Sequence, residues 1–178
     1  MARKRINSPL TSSCGRFFDA ISSLLGLRQK IAYEGQAAVE LDMCQNHREK
    51  GFYSWQTEKT GDQWILLTAD IIRGVVEDII AGVSRGIISR RFHNTLIRMF
   101  TELCVKIRDE SGINEVALSG GSFQNITLLE GLTHSLNARE FSVYSHSLVP
   151  SNDGCLALGQ AVCAGLRYAG IKGKYGEG

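Results

Sequence analysis

The sequence has little proline, no long apolar run and no excess of either charge, and each shortage argues against a class of protein. Only two prolines, Pro9 and Pro150, occur in 178 residues. No uninterrupted apolar stretch approaches the ~18–20 residues that cross a bilayer, so no membrane association is expected. With 20 basic and 18 acidic side chains, the net charge of +2 gives no reason to expect a nucleic-acid partner. The apolar fraction of 43% is too high for a disordered chain, so a globular domain remains.

The cysteines and histidines lack the spacing of known metal and redox motifs. The five cysteines contain no C-x-x-C pair, and no two of the four histidines lie three or four residues apart. A zinc ribbon, a thioredoxin-like motif and a two-histidine clamp on one helix are therefore excluded. The basic residues at 2–5 are followed by no apolar signal-peptide core. We therefore expect reduced thiols and a cytoplasmic protein.

Apolar periodicity predicts a mainly helical part followed by an α/β part. Helical spacing predicts helices over 17–27 with Ser13 as N-cap, 36–44, 69–82 and 85–108. Two β-prone runs, 52–56 and 64–67, predict a hairpin with its turn at 59–62. Beyond residue 111 the pattern is strand 115–118, glycine turn, helix 126–136, strand 141–144 and a final helix that Asn152, Asp153 and Gly154 open. This order is typical of an α/β fold with a parallel sheet. We predict subdomains over 8–110 and 111–170 with no separate linker.

The turn after the strand at 115–118 is the first candidate site. Ser119, Gly120 and Gly121 end a strand and lead through Asn125 into a helix. Glycine lets a ligand approach the backbone, and a helix N-terminus offers free N–H groups to an anion or a ribose hydroxyl. The alternative is a tight turn that needs glycine only for its backbone conformation.

Two further segments carry polar groups at predicted helix starts. Asp153 lies where the final helix opens and could either cap that helix or bind a metal ion. Ser12, Gly15 and Asp19 surround the start of the first helix, where Asp19 is a carboxylate within an otherwise apolar turn. Asp19 could be a ligand-binding group or a residue of the solvated face.

Taken together, these segments resemble the carboxy-terminal region of the HypF carbamoyltransferases of nickel-iron hydrogenase maturation. The matching stretches follow the family order over nearly the whole chain. They are S-P-L-T-S-S-C-G-R-F-F-D-A at 8–20, Y-E-G-Q-A-A at 33–38, R-F-H-N-T-L at 91–96, L-S-G-G-S-F-Q-N at 118–125 and P-S-N-D-G-C-L-A-L-G-Q-A at 150–161.

The resemblance implies an α/β fold, an incomplete actin/Hsp70/sugar-kinase-like domain. It also implies an ATP-dependent enzyme that uses carbamoyl phosphate to form a carbamoyl-adenylate. The carbamoyl group then passes to the C-terminal cysteine of a HypE-type acceptor protein. Carried over by motif, the site for ATP or the adenylate would contain Ser12, Gly15, Asp19, Gly35, Ser119, Gly120, Gly121 and Asn125, with Gly35 the loosest match. Asp153 would be a ligand of a divalent metal ion.

The resemblance also implies that other parts of the family protein precede this region. Among them is the half of the carbamoyltransferase domain that supplies two metal-binding histidines and a phosphate-binding hairpin. We therefore expect a fragment that is inactive alone and shares its metal with that amino-terminal part, which could be a separate chain. Two alternatives stay open. One is an inactive remnant or split-chain subunit that binds nucleotide or a maturation partner, and the other is an enzyme similar to tRNA threonylcarbamoyl transferases.

Overall fold

The structure is a computed structural model that describes residues 11–170. The predicted start of the helical part at residue 8 lies outside this range. The elements, in chain order, are α1 (Cys14–Leu24), α2 (Gln36–Met43), β1 (Gln56–Thr60), β2 (Gln63–Leu67), α3 (Ala69–Ile80), α4 (Arg85–Ser111), β3 (Glu115–Leu118), α5 (Ile126–Asn137), β4 (Ser142–Ser145) and α6 (Leu156–Tyr168).

The first helix begins and ends where its sequence signals predict. The Ser13 hydroxyl accepts a hydrogen bond from the backbone N–H of Arg16 at 3.3 Å, which satisfies one free donor of the first turn. Gly26, just beyond the helix, has a φ of +65° that an L side chain rarely adopts. The N-cap and the stop predicted for this helix are confirmed.

The long helix α4 carries the centre of the hydrophobic core. Its Phe92 is fully buried and meets Phe17 and Phe18 of α1 edge to face, with ring centroids 5.1 Å apart in both pairs. Helices α2, α3 and α5 also contact α4. A buried side chain of this size contributes about 1.5–3 kcal/mol relative to an exposed one, so α4 is the helix on which the others are assembled.

The hairpin forms, but its first strand lies later in the chain than predicted. Strand β1 pairs with β2 in antiparallel register, and only Gly61 and Asp62 form the turn. The predicted strand at 52–56 is wrong apart from its last residue. Tyr53 is buried there, and its backbone N–H donates to Thr95 Oγ1 of α4 at 2.8 Å. Tyr53 and Trp55 anchor this segment to the core, and no strand pairs with it.

The last third contains the predicted parallel pair. Strands β3 and β4 pair in parallel register, from Glu115 opposite Ser142 to Leu118 opposite Ser145, and α5 connects them. Leu128, Leu132 and Leu136 of α5 are buried, and α5 packs on α4. The carboxyl ends of both strands therefore lie at one edge of the sheet.

Within residues 11–170, no helix combines the length and apolar character that crossing a membrane requires.

The contact between α2 and the start of α4 generates a stability prediction. A Cβ atom on Gly86 would lie 2.7 Å from the Cys44 carbonyl oxygen, which is backbone and cannot swing away. Gly86→Ala should therefore lower the free energy of unfolding by about 1–3 kcal/mol in denaturant melts, as overpacking does.

Gly159→Ala is the matched control, because Gly159 is also helical but a Cβ there meets no atom within 4 Å. Alanine favours a helix interior over glycine by about 1 kcal/mol, so this variant should lose no stability. Equal stability of the two variants would contradict the packing assigned to Gly86.

Candidate functional site

The glycine turn after β3 has the geometry of a backbone surface open to a ligand. Gly120 has φ +104° and ψ 160°, a conformation that is essentially restricted to glycine. A Cβ atom placed on Gly120 would have no heavy atom within 4 Å, so one side of the turn is unobstructed. The Gly120 N–H donates to the Ser151 carbonyl at 2.9 Å, which ties the turn to the loop before Asp153. Two of the predicted site segments are therefore adjacent.

The start of α1 also reaches this turn. Residues Gly121–Gln124 form a single 3-10 turn that contacts α1, whose first residue, Cys14, carries a partly buried thiol. Burial raises the pKa of that thiol, and Ser122 opposes the rise only in part. Cys14 is therefore a protonated packing residue. Ser12 and Gly15 are its neighbours in sequence, and no described hydrogen bond joins either of them to the glycine turn.

Asp19 lies one and a half turns further along α1. Its carboxylate is 32% exposed and accepts a hydrogen bond from the Arg16 guanidinium at 3.2 Å. Exposed pairs of this kind contribute between 0 and about 1 kcal/mol, so a ligand could displace Arg16 at small cost. Asp19 is therefore half-buried and accessible on α1, which fits both interpretations of the sequence.

Both polar atoms of the Asn125 side chain have hydrogen-bond partners in the structure. It is the N-cap of α5: its Oδ1 accepts from the Leu128 N–H at 2.8 Å, and its Nδ2 lies 2.9 Å from His93 Nε2. The side chain therefore joins the glycine turn to the middle of α4.

Gly35 is not brought to the turn by any described contact. It precedes α2 with φ +80°, and no heavy atom lies within 4 Å of a Cβ built on it. The residue of α2 that approaches His93 is Asp42, near the other end of the helix. At 1.5 Å per residue, Gly35 lies about 10 Å away from Asp42 along that helix.

The interpretation of Asp153 as a helix N-cap is wrong. The cap is Asn152, whose Oδ1 accepts from the Gly154 N–H at 3.0 Å, and α6 begins only after a 3-10 turn at Asp153–Cys155. The Asp153 carboxylate is exposed and makes no hydrogen bond with the described residues. The physical reason is the extended backbone of Asn152, which places its own side chain over the free N–H.

The described part of the chain does not by itself fit a metal ion. Over residues 11–170, no three side chains of His, Cys, Asp or Glu come together as a ligand group. Asp153 would provide one carboxylate ligand, whereas Mg²⁺ or Ca²⁺ binds six or more oxygen ligands. No step of a reaction can be derived through a metal from these residues alone.

Two histidines near the turn were not among the predicted site residues. Ser119 Oγ lies 2.8 Å from His146 Nε2, and each of these residues directly follows a strand of the parallel pair. His146 lines a cavity of about 240 Å³ at the carboxyl edge of that pair. The rule that ligands bind at this edge would have found His146 from the predicted strands. No sequence signal distinguishes His93 from a packing histidine.

The two glycines of the turn should respond differently to alanine. Gly120→Ala should lower the free energy of unfolding by about 1–3 kcal/mol, because alanine is strained at φ +104°. Gly121→Ala should change it by less than about 0.5 kcal/mol, since its Cβ would only meet Asn152 Cβ at 3.9 Å. Denaturant melts of both variants provide the comparison. Similar losses at the two positions would refute the assigned backbone conformation.

The assignment of Asn152 as the cap leads to a second prediction. Asn152→Ala should weaken the first turn by about 1 kcal/mol, the usual cost of losing a cap, and Asp153→Ala by less than half of that. Amide hydrogen exchange at Gly154, whose N–H is the capped donor, measures the difference locally. A larger effect from Asp153 would restore it as the cap.

Comparisons with known proteins match the whole arrangement to one family. The family model described as "Carbamoyltransferase, Kae1-like Domain, second subdomain" matches residues 1–160. The carbamoyltransferase HypF of Synechocystis is 33% identical over 159 residues, which cover 88% of this chain and 20% of that protein. The chain therefore spans about a fifth of the length of the curated relatives it matches first.

Solved structures show the same likeness in three dimensions. A full-length HypF in its phosphate- and nucleotide-bound form is 40% identical and superposes with a TM-score of 0.88 over 98% of this chain and 23% of that one. HypF of T. kodakarensis is 28% identical, with a TM-score of 0.77 over 97% and 22%. The expected fold, part of an actin/Hsp70/sugar-kinase-like domain, is confirmed. The chain belongs to the HypF carbamoyltransferase family and matches the second subdomain of its Kae1-like domain.

Proposed function

We propose that this chain is the nucleotide-binding half of a HypF-type carbamoyltransferase. In the proposed reaction, water releases carbamate and phosphate from carbamoyl phosphate. Carbamate then attacks the α-phosphorus of ATP, so that pyrophosphate leaves and a carbamoyl-adenylate forms. The thiolate of a C-terminal cysteine on a HypE-type acceptor then attacks the carbamoyl carbon, and AMP leaves. The proposed contribution of this half is to hold the adenylate through backbone N–H groups and a few fixed side chains.

One observation carries the proposal. The glycine turn is joined directly to the loop before Asp153 by the hydrogen bond from the Gly120 N–H to the Ser151 carbonyl. Helix α1 contacts the 3-10 turn that begins at Gly121. Three segments that are distant in sequence thus meet at one open surface. The relative solved with bound phosphate and nucleotide is 40% identical to this chain over the part that superposes, which is 23% of that relative.

The proposal also needs a partner, the amino-terminal half of the same domain, whether it belongs to the same polypeptide or to another. Helix α6 supports a docking surface for that half. None of its residues is buried, and its exposed side chains include Leu156, Leu158, Val162 and Leu166. A helix with this much apolar surface gains its stability from packing against another element. The two-stranded parallel sheet supports the same partner, since parallel sheets are normally covered on both faces.

A rival function is nucleotide binding without turnover, as in a remnant or a split-chain subunit. The absence of a three-ligand metal group among residues 11–170 favours it for the isolated chain. The two hypotheses differ in what happens when the amino-terminal half is supplied. The enzyme hypothesis predicts that this half completes the metal site to which Asp153 contributes one ligand. The cytoplasmic location and the HypE-type acceptor belong to the same proposal.

The test is reconstitution with the preceding part of a HypF relative as a separate polypeptide. The isolated 178-residue chain should release no AMP from ATP in the presence of carbamoyl phosphate. The mixture should release AMP, and Asp19→Asn should reduce the rate at least ~10-fold, the scale of one charged hydrogen bond to a ligand. AMP is quantified by chromatography.

Asp62→Asn is the matched control, because Asp62 is an exposed carboxylate in the hairpin turn and makes no described ion pair. It should leave the rate unchanged. Activity of the isolated chain would refute the proposal that the active site needs both halves. A mixture that binds ATP but never releases AMP would favour the rival hypothesis.

A further inference from the structure

We propose that His93 is a positioning residue of the nucleotide site, which fixes the orientation of the Asn125 amide through a hydrogen bond to its Nε2. The inference rests on the proposed function, because it needs Asn125 to be part of the nucleotide site. It assigns a role to a residue that the proposed function itself does not use.

The neighbours of His93 determine which of its nitrogens carries the proton. His93 Nδ1 lies 2.8 Å from the carbonyl oxygen of Ser89, one turn earlier in α4. A carbonyl oxygen can only accept, so Nδ1 must donate and carries the proton. In the neutral ring Nε2 is then an acceptor, and the group 2.9 Å away from it is Asn125 Nδ2, a donor.

The second contact of Asn125 makes the orientation unique. Its Oδ1 accepts from the Leu128 N–H at 2.8 Å. If the amide were flipped, its oxygen would face the Nε2 lone pair and its N–H₂ group would face the Leu128 N–H. Both contacts would become repulsive. The observed orientation leaves one N–H of Asn125 and one lone pair of its oxygen uncommitted. His93 therefore ensures that Asn125 can offer a hydrogen-bond donor to a ligand.

The surroundings keep this imidazole neutral. His93 has no exposed surface, and its ring lies edge to face against Phe18, the neighbour of Asp19 on α1, with centroids 5.3 Å apart. Burial lowers the pKa of His93 to about 4, whereas the Ser89 carbonyl and the nearby Asp42 carboxylate act in the opposite direction. The charges of Arg90 and His47 also act to lower the pKa, and the value of about 4 includes all of these effects. At neutral pH, Nε2 thus remains an acceptor.

Protonation would reverse the contact. A proton on Nε2 would oppose the Asn125 N–H, and the nearest alternative acceptor is Asp42 Oδ1 at 3.6 Å. A role for His93 in packing alone would not depend on which nitrogen is protonated. A positioning role requires an acceptor at the place of Nε2.

The experiment compares ATP affinity in three variants of the full chain by equilibrium dialysis. His93→Leu fills the space without an acceptor and should weaken ATP binding about 10-fold, the scale of one net hydrogen bond. His93→Gln can place an amide oxygen near the position of Nε2 and should stay within about 3-fold of the parent. Thr101→Val is the control for a buried polar group on the same helix, away from Asn125, and should also stay within about 3-fold.

Nitrogen-15 spectra of the imidazole supply a readout that packing alone would not move. The parent should show a protonated Nδ1 and an unprotonated Nε2 at pH 7. In Asn125→Asp the carboxylate replaces the donor, so Nε2 should take up a proton at neutral pH.

The outcomes separate the two claims. Equal ATP affinity of the parent and His93→Leu, or a protonated Nε2 in the parent, would overturn the positioning role while leaving the nucleotide site intact. No ATP binding by the parent would overturn the nucleotide role of this surface, and the positioning role with it.

Discussion

The hydrogen bond between His93 and Asn125 is the constraint on which the arrangement of the site depends. It joins the most buried part of α4 to the N-cap of α5, and through that cap to the glycine turn. The ring of His93 also packs against Phe18, so α1 is held to the same point. A buried polar group is costly unless its hydrogen bonds are satisfied, and here both ring nitrogens have partners. The open glycine surface is therefore joined to the core by a buried, hydrogen-bonded contact.

The exposed side of the site, in contrast, has few partners for its polar and backbone groups. Gly120 and Gly121 present backbone with little around it, Asp19 is engaged only by an exposed arginine, and Asp153 makes no described hydrogen bond. Helix α6 has no buried residue. These features support the proposed site between two halves, because such a site leaves its facing groups and its joining surface unsatisfied in either half alone. The family match to a second subdomain agrees with this division.

The sequence predicted most of the helices and the parallel strand pair because these depend on local periodicity and caps. Ser13 and Gly26 signalled the ends of α1 by chemistry that acts within one turn. The strand predicted at 52–56 failed because β propensity cannot tell pairing from packing. Tyr53 satisfies its backbone with Thr95, which is 42 residues away. Asn and Asp both occur often as N-caps, and only the backbone angles in the structure show that Asn152 is the cap. His93 and Asn125 lie 32 residues apart, and no periodic pattern in the sequence indicates that they pair.

The central claim is that the glycine turn, the start of α1 and the Asn125 cap form one nucleotide-binding surface. Mapping backbone amide shifts of the full chain during titration with ATP tests it most directly. The account predicts that the largest changes cluster at Gly15, Gly120, Gly121 and Asn125. A second cavity, of about 400 Å³ and lined by Tyr53, Asp78 and Arg91, lies elsewhere on the helical part and serves as the internal comparison. Changes confined to that cavity, with the glycine turn unmoved, would contradict the account.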